Sequence, residues 1–172
     1  MNNKNVCIIG LGYVGLTLAT YMATKGFRVF GIETNEKILN KLKNKKAHFF
    51  EPKLNILLQD LIGQNFTFSK VIPEKEFDAF IITVGTPVDK NTKMPIMKFI
   101  KMAAKQVAER ITEKSTVILR STVAIGTSRN IILPILKRVR SDIKLAFCPE
   151  RTVEGKALKE LKILPQIIGG ID

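Results

Sequence analysis

Short apolar runs alternate with amphipathic stretches along the whole chain. A strand covered on both faces is almost continuously apolar, so each run predicts a strand. The intervening stretches carry apolar residues three or four positions apart, which is typical of a helix with one buried face. Strands are predicted near residues 6–9, 27–32, 66–68, 79–84, 116–119, 144–147 and 166–169, and helices near 16–25, 38–42, 54–62, 96–111, 127–136 and 154–161.

This alternation predicts an α/β fold with a doubly wound, mostly parallel sheet of the Rossmann type. The 172 residues are enough for a domain with its own core, and no linker, repeat or low-complexity tract divides them. We therefore expect one domain over residues 1–172. Pro134 lies within a helical pattern, so a kink or a late helix start is expected there.

The first predicted strand leads directly into the sequence Gly10-Leu11-Gly12-Tyr13-Val14-Gly15, which has the spacing of a dinucleotide-binding turn. Gly10 permits the bend out of the strand, and Gly12 lets a pyrophosphate approach the backbone. Gly15 lets the following helix pack closely on the strand. The amides and the dipole at the helix start favour a phosphate. The alternative is a glycine-rich turn without a ligand.

An acidic residue, Glu33, ends the second predicted strand. A carboxylate at this place accepts hydrogen bonds from both ribose hydroxyls of NAD and repels the 2′-phosphate of NADP. Thr34 and Asn35 follow it, rather than an arginine. The sequence therefore favours NAD, the alternative for Glu33 being a solvated charge at a strand end.

Ligands of doubly wound sheets bind beyond the carboxyl ends of the strands. That rule places three further loop motifs beside the glycine turn and Glu33, namely residues 84–87, 121–122 and 149–150. We expect these motifs, which come from separate parts of the chain, to meet at one crevice.

Lysine and arginine outnumber acidic residues by 28 to 15. A basic surface suits an anionic nucleotide and is also common in nucleic-acid-binding proteins. The lysines are nevertheless spread in solvated patterns, such as Lys98, Lys101 and Lys105 on one helix face. We therefore expect no nucleic-acid partner. No apolar run approaches the ~18 residues of a membrane span, and no signal peptide is visible, so a cytoplasmic protein without a membrane partner is expected.

The two cysteines and the single histidine lack metal-ligand spacing. Cys7 lies within the first predicted strand and is expected to be a buried small hydrophobe. Cys148 as a nucleophile stays open, and His48 is interpreted as a loop residue. No metal site is expected.

The loop motifs form a series along the chain: GLGYVGL at residues 10–16, EPxL at 51–54, VGTP at 84–87, STV at 121–123 with GT at 126–127, and PERTVEG at 149–155. In this order they resemble the N-terminal domain of the UDP-glucose/GDP-mannose dehydrogenase family, over essentially the whole chain. Members of that family oxidise C6 of a nucleotide-linked hexose from alcohol to carboxylate. They use two NAD molecules in succession, and a cysteine thiol holds the intermediate as a thioester.

The resemblance implies NAD as the cofactor and a UDP sugar as the substrate. The form Pro-Glu-Arg at residues 149–151 more closely resembles the branch that acts on UDP-N-acetylhexosamines. The residues implied to bind NAD are Gly10, Gly12, Tyr13, Val14, Gly15, Glu33, Val84, Thr86 and Thr122.

The resemblance also implies catalytic roles for three residues. The hydroxyl of Thr122 positions a water or steadies an oxyanion, Glu150 helps to activate water for thioester hydrolysis, and Glu154 is a second acidic position in the same loop. A carboxylate desolvated in a cleft has its pKa raised towards neutrality, which suits a base. Structural alternatives stay open: residues 121–122 as a cap or turn, Glu150 as an ion pair with Arg151 or Arg120, and residues 86–87 as a turn only.

The chain also departs from the family pattern. Lys53 stands where glycine is usual, Ile125 stands where proline usually precedes Gly126, and Ile96 replaces an expected aspartate. The family's catalytic cysteine and lysine lie in a later region than this sequence reaches, and Cys148 does not match that motif. We therefore expect an isolated cofactor domain that binds NAD without turnover, while the full-length protein is expected to be a homodimer.

Two other functions remain open at this stage. The first is the cofactor domain of another NAD-dependent dehydrogenase, of the 3-hydroxy acid or 3-hydroxyacyl-CoA type, although such enzymes usually depend on a histidine or lysine base. The second is a non-catalytic NAD-binding module.

Overall fold

A computed structural model describes residues 4–171, so residues 1–3 and 172 of the expected domain lie outside it. Within the described residues the strands form one sheet in the order β3-β2-β1-β4-β5-β6-β7. Strands β1 to β6 are parallel, and β7 is antiparallel to β6. The strands are β1 (Asn5–Ile9), β2 (Arg28–Ile32), β3 (Phe66–Ser69), β4 (Ala79–Ile82), β5 (Thr116–Leu119), β6 (Lys144–Phe147) and β7 (Gly169–Ile171). The order confirms a doubly wound sheet of the Rossmann type.

Helices cover both faces of this sheet. They are α1 (Tyr13–Thr24), α2 (Glu36–Lys43), α3 (Leu54–Leu61), α4 (Lys98–Ala108), α5 (Leu133–Lys137) and α6 (Ala157–Ile163). One core cluster contains residues of α1, α3 and α6, and the other contains residues of α4 and α5. Alternate residues of β1 enter opposite clusters, Val6 and Ile8 on one side and Cys7 and Ile9 on the other. This two-sided burial is the reason that the strand sequences are continuously apolar.

Strand β1 lies at the centre of the sheet, between β2 and β4. Ile9, its last residue, pairs with Ile32 on one side and with Ile82 on the other. The chain crosses from β1 to β2 and β3 on one side, then returns to place β4 on the other. The carboxyl ends of these three strands therefore flank the topological switch point, where such sheets bind ligands.

The Pro134 expectation is confirmed. A π-helical turn over Ser128–Ile132 precedes α5, whose first turn contains Pro134. Proline has no N–H to donate, and its ring is tolerated only in the first turn of an α-helix. The regular helix therefore begins late, as the position of Pro134 predicted.

Several element boundaries differ from the predicted ones. Helix α4 begins at Lys98 instead of residue 96, after a segment in which the Ile96 N–H donates to the Pro87 carbonyl (2.8 Å). Helix α6 begins at Ala157 instead of residue 154, after a turn that contains Gly155 at φ +82°. The last strand was predicted at 166–169 and lies at Gly169–Ile171, because the ladder with β6 begins at the pair Phe147 and Gly169.

Candidate functional site

The glycine turn between β1 and α1 has the geometry that its sequence predicts. Gly10 has φ +95°, a conformation that other residues rarely adopt. A Cβ atom on Gly15 would lie 1.9 Å from the Gly10 carbonyl oxygen, so only glycine permits this close packing. A Cβ on Gly12 would meet nothing within 4 Å, so the space in front of the turn is open.

Helix α1 presents its N-terminus to this open space. Gly12 is its N-cap residue and supplies no side-chain acceptor, so the first N–H groups of the helix are left to a ligand or to water. The Thr83 hydroxyl donates to the Gly10 carbonyl (2.7 Å) and fixes the start of the turn from the neighbouring strand end. The turn can therefore hold a diphosphate by main-chain N–H groups and the helix dipole.

The carboxylate of Glu33 is oriented by three main-chain N–H groups. Its Oε2 atom accepts from Leu11 (3.0 Å), and its Oε1 atom accepts from Thr34 (2.8 Å) and Asn35 (2.9 Å). A carboxylate offers about four lone-pair sites, and three are used, so Oε2 keeps about one for a ribose hydroxyl. Glu33 is half-buried at the end of β2 and lines the cavity described next.

A cavity of about 310 Å³ opens at the switch point. Four of the predicted cofactor residues line it, Gly10, Gly12, Glu33 and Val84, together with Ile9, Ile32, Thr34, Thr83, Gly85, Pro87, Phe99, Met102, Ala103 and Gln106. The last four belong to α4 and were not predicted as site residues. Phe99 and Met102 keep 45% and 50% of their surface exposed, so α4 gives the cavity an apolar wall suited to a flat ring.

The other predicted cofactor residues, Tyr13, Val14, Gly15, Thr86 and Thr122, do not line this cavity. The Ser121 hydroxyl donates to the Val84 carbonyl (2.7 Å), and the Thr86 hydroxyl donates to the Thr122 carbonyl. These two bonds tie the loop after β4 to the loop after β5. The Thr122 residue itself is exposed beside them. The loops that were expected to meet are therefore joined by hydrogen bonds at the same edge of the sheet.

Glu150 forms a buried ion pair with Arg120, one of the open alternatives. Glu150 Oε2 accepts from Arg120 Nε (3.0 Å) and lies 2.9 Å from Nη2, with side chains only 8% and 5% exposed. Its Oε1 accepts from the N–H groups of Arg151 (2.8 Å) and Thr152 (2.9 Å). The Arg151 side chain instead donates to the Pro165 carbonyl (3.1 Å).

The expectation of a raised pKa for Glu150 is wrong in this structure. Burial alone would raise the pKa of Glu150, but the Thr152 N–H, the Arg120 charge and the Arg151 N–H outweigh burial, and the pKa is lowered. Every strong partner of the carboxylate stabilises its ionised form. Arg120 also donates to Cys148 Sγ (3.1 Å), so the thiol belongs to the same buried cluster.

The Tyr13 side chain does not line the cavity and joins the glycine turn to two other loops. Its hydroxyl donates to Glu51 Oε2 (2.8 Å) and accepts from the Gly155 N–H (3.0 Å). Glu51 is buried, and its Oε1 accepts from the Leu158 N–H (3.1 Å). Burial, followed by the bond to the Glu51 carboxylate, raises the pKa of Tyr13 above its usual range. The Tyr13 hydroxyl is therefore a structural link, and Glu154 lies exposed in the loop that it anchors.

The remaining candidate residues show no further site in the part of the chain that the structure covers. Burial raises the pKa of Cys7 to about 12, which leaves its thiol unreactive. Residues 4–171 contain no cluster of three or more His, Cys, Asp or Glu side chains that could hold a metal ion. Over the same residues, no helix has the length and apolar character needed to cross a membrane.

The sequence matches the UDP-glucose/GDP-mannose dehydrogenase family, NAD binding domain, over residues 4–172. A UDP-N-acetyl-D-mannosamine dehydrogenase of Campylobacter jejuni is 36% identical over 183 residues, covering 99% of this chain and 45% of that protein. One from Methanococcus vannielii is 37% identical over 172 residues, covering 98% of this chain and 39% of that protein.

The fold is similar to that of a solved UDP-N-acetyl-mannosamine dehydrogenase from Staphylococcus aureus. The TM-score is 0.90 at 30% sequence identity, covering 98% of this chain and 42% of that one. The chain thus spans less than half the length of the relatives that it matches.

Proposed function

Because the chain belongs to the UDP-glucose/GDP-mannose dehydrogenase family and is that family's NAD-binding domain, we propose that it is the cofactor half of a nucleotide-sugar 6-dehydrogenase. The proposed substrate is a UDP-linked, N-acetylated hexose, which is oxidised at C6 from alcohol to carboxylate with two NAD. The relatives named as UDP-N-acetyl-D-mannosamine dehydrogenases support this substrate class. The family match favours this proposal over the 3-hydroxy acid and 3-hydroxyacyl-CoA dehydrogenases.

The observation that carries the proposal is the pairing of an open glycine turn with an oriented carboxylate. The N–H groups at the start of α1, beyond Gly12, hold the diphosphate. Glu33 would accept a hydrogen bond from the adenosine ribose, and the apolar wall of Phe99 and Met102 would take the adenine. Val84 and Thr86 lie on the nicotinamide side, and Tyr13, Val14 and Gly15 shape the turn.

Bound NAD would supply the hydride acceptor, and three residues of this chain are proposed to act on the sugar. Thr122, exposed beside the loop after β4, donates or accepts at the reacting oxygen or at a water. Glu150 is held ionised by Arg120 and accepts a proton from the water that hydrolyses the thioester. Glu154 supplies a second carboxylate from the same loop.

The arrangement restricts how Glu150 can act as a base. Its two oxygens already accept hydrogen bonds from a guanidinium and two amides, so its basicity is low in this arrangement. Proton uptake by Glu150 therefore requires the contact with Arg120 to loosen. A substrate oxygen that accepts the Arg120 hydrogen bonds in place of the carboxylate would have the same effect. We propose that the ion pair keeps Glu150 oriented until substrate is bound.

The expectations about partner, oligomeric state, location and turnover stay predictions. The UDP-sugar partner, the homodimer of the full-length protein and the cytoplasmic location belong to this group. So does the absence of turnover, because the family's catalytic cysteine lies in a later region than this sequence reaches. UDP-N-acetylmannosamine and NAD added to this chain should yield no NADH.

The test is a calorimetric titration of the chain with NAD and with NADP. NAD should bind at least tenfold more tightly, because a charged hydrogen-bond acceptor is worth about 1.5–3 kcal/mol. Glu33→Ala should remove most of this preference. Glu36→Ala is the matched control, since Glu36 is an exposed carboxylate that lies three positions away and does not line the cavity. Equal affinity of the unmodified chain for NAD and NADP would contradict the role of Glu33.

A further inference from the structure

A second cavity, of about 670 Å³, opens on the face of the sheet that carries α1, α3 and α6. No residue that lines it also lines the cavity at the switch point. Lysines supply much of its wall and come from three segments of the chain. They are Lys25 after α1, Lys53 before α3, and Lys156, Lys159 and Lys162 in and before α6.

These five lysines keep their charge uncompensated by the protein. All five are exposed, and none takes part in a salt bridge within residues 4–171. The buried Glu51 also lines the cavity, but its two oxygens are bound by the Tyr13 hydroxyl and the Leu158 N–H. Clustered like charges repel, so this wall favours an anion that several lysines contact at once.

One of these lysines is held in an unfavourable backbone conformation. Lys53 has φ +68°, in the left-handed region that disfavours residues with a Cβ atom. Glycine is the usual residue at this place in the sequence motif. Lys45 and Lys93 also have positive φ, +54° and +59°, without lining this cavity, so the strain belongs to the turn and Lys53 contributes to the site through its charge.

The floor of this second cavity is apolar and aromatic, in contrast to its lysine-rich wall. Leu158 is 9% exposed, and Tyr21 and Leu57 are half-buried beside it. The Lys25 ammonium lies 5.4 Å from the centre of the Tyr21 ring, so charge and aromatic surface are adjacent. An apolar, aromatic floor beneath a cationic rim matches a ligand with a flat ring at one end and phosphates at the other.

We infer that this cavity is a second nucleotide site, which binds a nucleoside diphosphate with its phosphates among the lysines and its base on Tyr21 and Leu158. The volume lies within the range of small-ligand pockets. This site is distinct from the cavity at the switch point, with which it shares no lining residue, and Glu51 on its wall is linked to the glycine turn by the Tyr13 hydroxyl.

The experiment is an NMR titration of the ¹⁵N-labelled chain, saturated with NAD, using UDP as the probe. UDP should shift the amides of Tyr21, Lys53 and Leu158 and leave that of Gly12 unchanged. Uridine, which lacks phosphates, should give no binding at the same concentrations. Exposed ion pairs each contribute a few-fold, so the triple variant Lys156→Gln/Lys159→Gln/Lys162→Gln should weaken UDP about tenfold.

The matched control removes the same charge from another helix. Lys98→Gln/Lys101→Gln/Lys105→Gln changes three exposed lysines of α4 and should leave UDP affinity within about twofold of the unmodified chain. Equal weakening by both triple variants would overturn the site, because it would show a response to net charge alone. The site would also be overturned if UDP shifted only the amide of Gly12. The same holds if an acidic polymer such as heparin bound this face while UDP did not. Failure of NAD to bind would leave the UDP titration of the NAD-free chain as a separate test.

Discussion

Replacing Arg120 by methionine tests the energetic role of the buried ion pair with Glu150. The substitution keeps a long side chain and removes the guanidinium that lies 2.9 Å from Glu150 Oε2. The Glu150 carboxylate, which is 8% exposed, then remains buried with only the N–H groups of Arg151 and Thr152 as partners. Losing one partner of a buried pair costs about 3–5 kcal/mol at neutral pH.

An exposed ion pair in the same chain provides the matched control. Arg110 lies 3.3 Å from Glu74, and the side chains are 36% and 90% exposed. Arg110→Met should lower the free energy of unfolding by no more than about 1 kcal/mol. The difference between the two variants isolates the effect of burial.

The cost of Arg120→Met should depend on pH in a defined direction. The lowered pKa of Glu150 means that, in the unmodified chain, its contribution to stability is present above the unfolded-state pKa and lost as pH falls through the folded-state value. Without Arg120, two of the influences that lower the pKa of Glu150 are removed, so its pKa in the folded variant should lie above its pKa in the unmodified chain. The Glu150 carboxyl then protonates in the folded variant on mild acidification. The loss in free energy of unfolding, relative to the unmodified chain, should therefore shrink between pH 7 and about pH 4.

Urea denaturation of both variants and the unmodified chain at these two pH values provides the measurement. A Glu150→Gln variant and the double variant complete a cycle, in which the double variant should lose less than the sum of the single losses. A deficit below about 1 kcal/mol for Arg120→Met at neutral pH would refute the reasoning. A deficit that stays constant down to about pH 4 would do the same.

The glycine turn and the strained lysine give the remaining predictions. Gly15→Ala places a Cβ 1.9 Å from the Gly10 carbonyl and should lower the free energy of unfolding by about 3 kcal/mol. Gly12→Ala meets nothing within 4 Å and should change stability by less than about 1 kcal/mol while abolishing NAD binding; similar stability losses for both variants would contradict this distinction. Lys53→Gly should raise the free energy of unfolding by about 0.5–1 kcal/mol, because φ is +68°, whereas Lys53→Ala keeps the strain and should not. Thermal unfolding measures all four variants.

The sheet and its ligand-binding edge were predictable because both depend on local patterns. The two central strands, β1 after Asn5 and β4 throughout, are apolar at consecutive positions, and this pattern distinguishes a strand between two helical layers from an amphipathic one. Once the strands are parallel, their carboxyl ends share an edge, and this brings Gly12, Glu33 and Val84 to one cavity. No tertiary information beyond strand order is needed for that step.

Features that depend on contacts between distant segments were not predictable in the same way. The apolar wall formed by Phe99 and Met102 depends on the tilt of α4, which its helical periodicity does not specify. The sequence left Arg120 and Arg151 as alternative partners of Glu150, and the neighbouring ends of β5 and β6 decide in favour of Arg120. The lowered pKa of Glu150 follows from this pairing with Arg120, so the expectation of a raised pKa was wrong.

Element boundaries failed for a related reason. The last strand begins at Gly169 because Gly169 pairs with Phe147, the last residue of β6, and residues 166–168 lie beyond the end of that strand. Strand pairing is a tertiary contact, which the local apolar pattern does not specify.

The bond between Tyr13 and Glu51 has a consequence for the evolution of the dinucleotide fingerprint. Tyr13 occupies a position that the fingerprint leaves unspecified, yet its hydroxyl is matched to acceptor and donor groups 38 and 142 positions along the chain. On a domain that lacks both a carboxylate at the place of Glu51 and a carbonyl at the place of Val153, the half-buried hydroxyl of Tyr13 would lose both of its acceptors. The residue type at position 13, which the fingerprint leaves open, is thus set by contacts with the segments around Glu51 and Gly155.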